Sequence, residues 1–530
     1  MQRFGIFVSV VALAVISSVG LAYSIWFIFP FLTFAALGLV GVYDIVQPKH
    51  AILRNYPVIG HMRFLFEGIR PEIRQYLIES DQDEEPFSRD DRSLVYQRAK
   101  GVEDKRPFGT RQRVYDVGFH GLTHSIQPVH IADSNFRVTI GGPECSQPYS
   151  ASIYNISAMS FGSLSANAIL ALNMGAKKGG FAHDTGEGGI SKYHRQGGGD
   201  LIYEIGSGYF GCRADDGTFD AEKFKAQATN PQVKMVEIKL SQGAKPGHGG
   251  MLPASKISPE IAAARDIPMG QDCVSPASHS AFSTPIELMQ FVGKLRDLSG
   301  GKPTGFKLCI GHRREFMCIV KAMIETGIVP DFIVVDGKEG GTGAAPLEFT
   351  DHLGMPMVEG LTFVHNALRG AGLRDQIKIG TAGKLITAFD IARALSLGAD
   401  WVNAARGFMF SLGCIQAQSC HTNRCPVGIA TQDETRQRAL VVPDKSERVA
   451  RFHKNTLAAL AEMTGAAGLS DPNDFLPRHF VTRSGDGELI SGDRANPYLP
   501  LNFLLDEEPD EHGYLIRWNR ARAESFAPFD

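Results

Sequence analysis

From about residue 150, short apolar β-prone runs alternate with helical patterns, and glycine-rich turns follow several of the runs. That alternation is the signature of βα units and restricts the chain to a parallel sheet covered by helices. Strands are expected at Ser152–Ile156, Lys234–Leu240, Gly305–Cys309, Phe332–Val335, Ile377–Gly380 and Trp401–Ala404, with Phe181–Asp184 and Leu201–Ile205 as the remaining two. Helices are expected at Ser165–Lys178, Pro285–Leu298, Phe316–Thr326 and Ala388–Leu397. Motifs recur after nearly every strand rather than at a single switch point, so a (β/α)8 TIM barrel of the α/β class is favoured over a doubly wound sheet.

Ahead of the barrel, no Asp, Glu, Lys or Arg occurs from Phe4 to Tyr43. At about 1.5 Å per residue the run makes roughly 60 Å of helix, twice the ~30 Å of a bilayer's hydrocarbon. A transmembrane helical hairpin is expected over residues 1–45, with spans near Phe4–Leu21 and Ile25–Val42 and a turn at Ala22-Tyr23-Ser24. A cleaved signal peptide fits less well, because the run exceeds a signal's apolar core and no convincing cleavage site follows. Arg3 precedes the first span, and Lys49, His50, Arg54, His61 and Arg63 follow the second. The positive-inside bias then places both ends, and the body, on the cytoplasmic face of a cell inner membrane crossed more than once. Residues 46–135 read as a connecting or capping segment, with a solvated acidic loop from Glu79 to Pro86; 136–440 as the barrel; and 441–530 as a C-terminal extension. A formal net charge of -3 leaves no basic excess for nucleic acid.

Eight cysteines among 530 residues make no disulfide framework, yet Cys414, Cys420 and Cys425 crowd into residues 413–426, closed by Pro426. A winding loop can bring three thiolates to one point, which suits an iron–sulfur cluster with one open corner, or a fourth ligand from elsewhere. Zinc with His421 is weaker, since that histidine adjoins Cys420; three buried free thiols are the plain alternative. Glycines gather in 185–189, 245–250 and 336–344, each after an expected strand, where they permit close backbone approach to a flat or phosphorylated ligand. Residues 380–384 and 404–407 follow the last two strands, where barrels hold phosphate. Spacing alone does not separate a flavin mononucleotide from a sugar phosphate. Lys307, inside an apolar strand, needs an anion or a route to the surface. Glu187, Lys245, Lys256 and His279 are further polar candidates.

Together, Ser157-Ala158-Met159-Ser160-Phe161-Gly162-Ser163-Leu164-Ser165, Gly186-Glu187-Gly188-Gly189, Gly243-Ala244-Lys245-Pro246-Gly247, Gly340-Gly341-Thr342-Gly343-Ala344 and the run from Gly413 to Gln432 resemble the FMN-binding synthase domain of glutamate synthases over roughly residues 150–435. The resemblance implies FMN and a 3Fe-4S cluster on Cys414, Cys420 and Cys425. It also implies reductive amination of 2-oxoglutarate through 2-iminoglutarate to glutamate. By the same resemblance Ala158, Met159 and Ser160 lie along the flavin ring, Gly340, Gly341, Thr342 and Gly343 line the cofactor, and Gly383, Lys384 and Gly407 cradle its phosphate. Lys307 faces flavin and substrate, and Lys307, Glu187 and His248 are the candidate catalytic residues. The chain departs from the family at His248, where a glutamate is usual, and at Ala281, where an aspartate is usual. Those departures raise a second reading, an FMN oxidoreductase acting on another imino or 2-oxo acid or amine; a third is a redox or scaffolding membrane subunit. The membrane hairpin stands where the family has its amidotransferase domain, so free ammonia, an amine or a partner glutaminase is the expected nitrogen source, and ferredoxin or a reductase subunit the electron donor.

Overall fold

The computed structural model describes residues 4–82, 85–252, 254, 257–506 and 513–528. Arg3 and Lys256, and Asp83 and Glu84 of the acidic loop, lie outside the described residues. The chain divides into two compact units, 1–89 and 90–530.

In the first unit, α1 (Gly5–Gly20) and α2 (Ile28–Val46) form a hairpin, joined by a turn through Leu21–Tyr23 and one 3-10 turn at Ile25–Phe27. Gly41 lets the helices approach closely: a Cβ there would stand 2.3 Å from the ring of Phe7. The continuous segment Ile25–Val46, mean hydropathy 2.2, is long and apolar enough to cross a membrane by length and composition. The expected first crossing is shorter than its partner, because α1 is 16 residues long, about 24 Å against ~30 Å of hydrocarbon. Two full crossings are thus corrected to one helix of spanning length among the described residues, with a shorter apolar companion. After one short helical turn at Ala51–Asn55, the longer helix α3 (His61–Ile73) follows.

The second unit is built on a closed parallel barrel of eight strands: β1 (Tyr154–Ile156), β2 (His183–Asp184), β3 (Leu201–Ile205), β4 (Val233–Lys239), β5 (Thr304–Leu308), β6 (Phe332–Asp336), β7 (Lys378–Ala382) and β8 (Trp401–Ala404). Pairing of Val402 with Tyr154 and of Ala404 with Ile156 closes it between β8 and β1. Strands β3, β5 and β8 are buried at every position, which is why they read as apolar runs without alternation. The outer layer includes α4 (Ala166–Gly179), α5 (Pro285–Leu298), α6 (Arg313–Thr326), α7 (Met357–Gly370) and α8 (Ala388–Ser396). Their starts follow local chemistry. Ser165, Thr284 and Thr387 each accept a first-turn N–H, and Thr284 with Glu287 completes a reciprocal capping box.

Expected Ser152–Ile156 splits in two. Tyr149–Ser152 pairs antiparallel with Arg137–Ile140, and only Tyr154–Ile156 enters the barrel. Beyond the barrel, α9 (Arg406–Leu412) leads into the cysteine loop, and α10 (Val442–Ala466) packs on α4, with Val449 seated against Gly175. His120–Leu122 pairs with Phe480–Arg483, which pairs with Leu489–Ser491, so 90–135 and 441–530 belong to the barrel's own unit. Phe306, Phe332 and Phe408 are wholly buried, each worth about 1.5–3 kcal/mol of transfer free energy.

Candidate active site

A cavity of about 360 Å³ opens at the C-terminal end of the barrel, where the loops after the strands converge. Its walls include Ala158, Met159 and Ser160 after β1, Gly186 and Glu187 after β2, Gly341, Thr342 and Gly343 after β6, and Ala405 and Arg406 after β8; Cys420 and His421 also line it. Of the site candidates singled out from sequence, Ala158, Met159, Ser160, Glu187, Lys245, Gly341, Thr342, Gly343 and Cys420 therefore share one cavity. Gly186 sets the wall's closeness. It sits at φ +64°, and a Cβ there would meet the Ser160 backbone nitrogen at 2.9 Å. Asp184 holds that turn by accepting the Gly186 N–H at 2.9 Å.

The barrel interior beneath is charged. Lys307, 4% exposed, is not on the cavity wall; its ammonium pairs with Glu204, which is on the wall, and lies 3.2 Å from Glu237. One carboxylate oxygen from each of Asp184, Glu204 and Glu237 lies within 4.8 Å of the others, a spacing a cation can bridge, and the Lys307 ammonium is the cation among them. Burial alone would discharge Lys307, but Glu204, Glu237 and Asp184 outweigh it and hold it protonated. Three carboxyls around one ammonium cannot all ionise cheaply. Burial, with Glu204 nearby, raises Asp184 to about 7. Burial also raises Glu237 well above the carboxylate range, against the pull of Lys307. Sequence reasoning applied to Lys307 the rule that a buried charge needs a partner; the same rule applied to the lone acids in Leu201–Ile205 and Val233–Lys239 would have found Glu204 and Glu237.

Along the wall, Glu187 pairs with Lys239 at 2.9 Å. Burial pushes this carboxyl up, but Lys239, Arg265 and Lys245 prevail and hold it at about 2, so it is ionised. Lys239, Lys245, Arg265 and Arg406 line the cavity, and of these only Lys245 stood out in the sequence. Other singled-out residues stand apart. His248 is exposed on its loop, its ring 5.1 Å from Phe349, and does not line the cavity. Gly340 lies just behind the wall, donating its N–H to Gly337 at 3.0 Å. Gly383 backs onto Met357 and Glu339, Lys384 follows it at φ +55°, and Gly407 is buried at the start of α9. It is the preceding pair, Ala405 and Arg406, that reaches the cavity, and Arg406 donates to the Thr342 carbonyl at 3.0 Å. His279 is buried between the Tyr209 hydroxyl at 3.1 Å and the Lys239 carbonyl at 2.9 Å, and burial lowers it to about 4. Ala281 uses its backbone N–H on the same hydroxyl.

Cys414, Cys420 and Cys425 are free thiols on an irregular loop after α9. Gln416, Gln418 and Asn423 all adopt positive φ there, so the loop winds sharply between the cysteines. Burial raises the Cys414 thiol to about 11; the neighbouring Cys420 and Cys425 push the same way, against Gln416 and Arg406. Of the three thiols, Cys420 lies on the cavity wall, and three thiolates on one loop are the donor type an iron–sulfur cluster takes. The loop is tied down after Cys425: Ser165 donates to the Gly428 carbonyl at 2.7 Å, and Gln432 to the Gly162 and Leu164 carbonyls at 3.0 Å each.

Residues 133–470 match the family model described as the conserved region in glutamate synthase. The chain is 40% identical over 495 residues to the glutamate synthase large subunit-like protein YerD of Bacillus subtilis, covering 86% of this chain and 94% of that protein. It is 35% identical over 314 residues to the archaeal-type glutamate synthase [NADPH] of Thermotoga neapolitana, and 35% identical over 316 residues to the archaeal glutamate synthase [NADPH] of Methanocaldococcus jannaschii. In both cases the match covers 59% of each chain. A mutant flavocytochrome b2 with pyruvate bound superposes with a TM-score of 0.42 at 12% identity, over 88% of this chain and 94% of that one. The family match spans the whole barrel and the cysteine loop, and the chain is an oxidoreductase belonging to the glutamate synthase family.

Proposed function

We propose that the chain is a membrane-anchored, FMN- and 3Fe-4S-containing enzyme of glutamate-synthase type. It makes glutamate from 2-oxoglutarate and ammonia or an amine through 2-iminoglutarate. The observation that carries this reading is the shared cavity: the 158–160 and 341–343 loops and Cys420 face one space at the barrel mouth. The 158–160 and 341–343 loops would hold FMN, which would supply hydride chemistry, and Cys414, Cys420 and Cys425 would hold the cluster. The chain's own contribution is electrostatic. A dicarboxylate substrate needs cations at both ends, and Lys239, Lys245 and Arg265 line the same cavity as the flavin-facing loops. Glu187 anchors Lys239, while Glu204 presents the buried Lys307 pair at the cavity floor. Electrons come from ferredoxin or a separate reductase subunit, and the apolar hairpin holds the enzyme at the cytoplasmic face of the inner membrane.

His248 and Ala281, the departures that favour a different imino or 2-oxo acid, both stand outside the cavity wall, which favours 2-oxoglutarate. Anaerobic stopped-flow tests the reading. Photoreduced protein mixed with 2-oxoglutarate and ammonium should reoxidise at a rate that depends on both. Reoxidation that needs neither, or that occurs only with other keto acids, sinks it.

A further inference from the structure

We propose that α3 is an interfacial helix that lies on the phospholipid surface beside the hairpin, with its apolar stripe in the headgroup layer; this rests on the membrane-anchored reading above. At 100° per residue, Met62, Leu65, Phe66, Ile69 and Ile73 fall within a stripe about 100° wide, with Glu72 at one edge and Arg63, Glu67 and Arg70 on the other side. No residue of α3 is buried; Leu65 and Phe66 are 57% and 55% exposed. Phe64, off the stripe, touches the rest of the unit, its ring 5.4 Å from that of His50. The helix is therefore fastened by one side and shows its apolar stripe to the outside.

The position of α3 identifies what covers that stripe. Asp44 is the first charged residue after the uncharged run and marks where the hairpin leaves hydrocarbon. It is fully buried, and its carboxylate takes the Val58 N–H at 2.9 Å and lies 2.8 and 3.0 Å from Nε2 of His61, the first residue of α3. Gln47 closes the same elbow, accepting the His50 N–H at 2.8 Å and donating to the His50 carbonyl at 2.9 Å. The amphipathic helix thus begins at the level of the interface, and an apolar stripe with arginines along one flank is what a phospholipid surface binds.

Photocrosslinking of the full chain in vesicles of equal parts phosphatidylcholine and phosphatidylglycerol tests this. p-Benzoylphenylalanine is placed at Leu39, Phe66, Ile69 or Glu67, one position per variant. Lipid adducts at Leu39, Phe66 and Ile69, several-fold more abundant than at Glu67, are the expected result. Lipid adducts at Leu39 with protein crosslinks or solvent quenching at Phe66 and Ile69 overturn the interfacial helix and leave the hairpin in the bilayer. Absence of lipid adducts at Leu39 overturns the membrane reading, and the inference with it.

Discussion

The two ends of the cavity are organised by opposite means. At the barrel floor, strands β3, β4 and β5 hold Glu204, Glu237 and Lys307 in fixed register, and side-chain charge does the positioning. At the rim, the cysteine loop has almost no regular structure, and backbone at positive φ at Gln416, Gln418 and Asn423 does it. The floor carries its own counter-charge, the Lys307 ammonium beside Glu204 and Glu237. The rim offers thiols that, in the proposed function, a cluster from outside the chain completes. Removing a floor residue should damage the fold first; removing a rim residue should damage electron supply and spare the fold.

Cys420→Ser tests the rim and should have the largest functional effect. Turnover with the electron donor falls to background and the low-temperature EPR signal of the oxidised cluster disappears, while circular dichroism and FMN absorbance stay unchanged. Loss of FMN or of secondary structure would erase the distinction between the two ends. At the floor, Glu204→Ala leaves Lys307 with a poorer set of partners in the interior and should cost roughly 3–5 kcal/mol in urea unfolding, since the remaining charge is buried. Adding Lys307→Met should restore much of that loss; a fully additive double variant would show that the pair does not act as a unit.

The smallest effect concerns a group outside both ends. His453 is buried with its ring 4.0 Å from Phe181, and burial lowers it to about 3. Between pH 6.5 and about 3 the unfolded chain binds a proton there that the folded chain refuses, so stability declines as pH falls through that window. One such group contributes up to about 1.4 kcal/mol per pH unit. His453→Gln should flatten the slope of unfolding free energy against pH between 6 and 4 (approximate limits of the window), and an unchanged slope would assign the acid sensitivity elsewhere.

How much of this was legible beforehand follows from the same contrast. The barrel strands were readable because burial on both faces leaves short, mostly apolar runs without alternation, and Trp401–Ala404 and Leu201–Ile205 emerge with the bounds expected of them. The three cysteines were readable because their crowding is local. Glu204 and Glu237 were not singled out, since their meaning depends on pairing across three strands, which no local window displays. The phosphate-side glycines 383 and 407 were legible as turns, but whether a turn residue faces a cavity or backs onto it, as Gly383 does onto Met357, is decided by tertiary packing. The hairpin was legible as an uncharged run. Its turn fell where expected, but its unequal arms were not legible, because the second helix runs on past the uncharged run through Asp44 to Val46.

The tethers from Gln432 to Gly162 and Leu164, and from Ser165 to Gly428, have a consequence for traffic. They weld the chain just after Cys425 to the segment that follows Met159 and Ser160, so this end of the loop moves with the barrel mouth. Under the proposed function, an electron would then cross from Cys425 to the cavity over a constant gap. A redox protein serving the enzyme would have to bring its own centre to the rim, and its docking geometry would govern the pace of delivery.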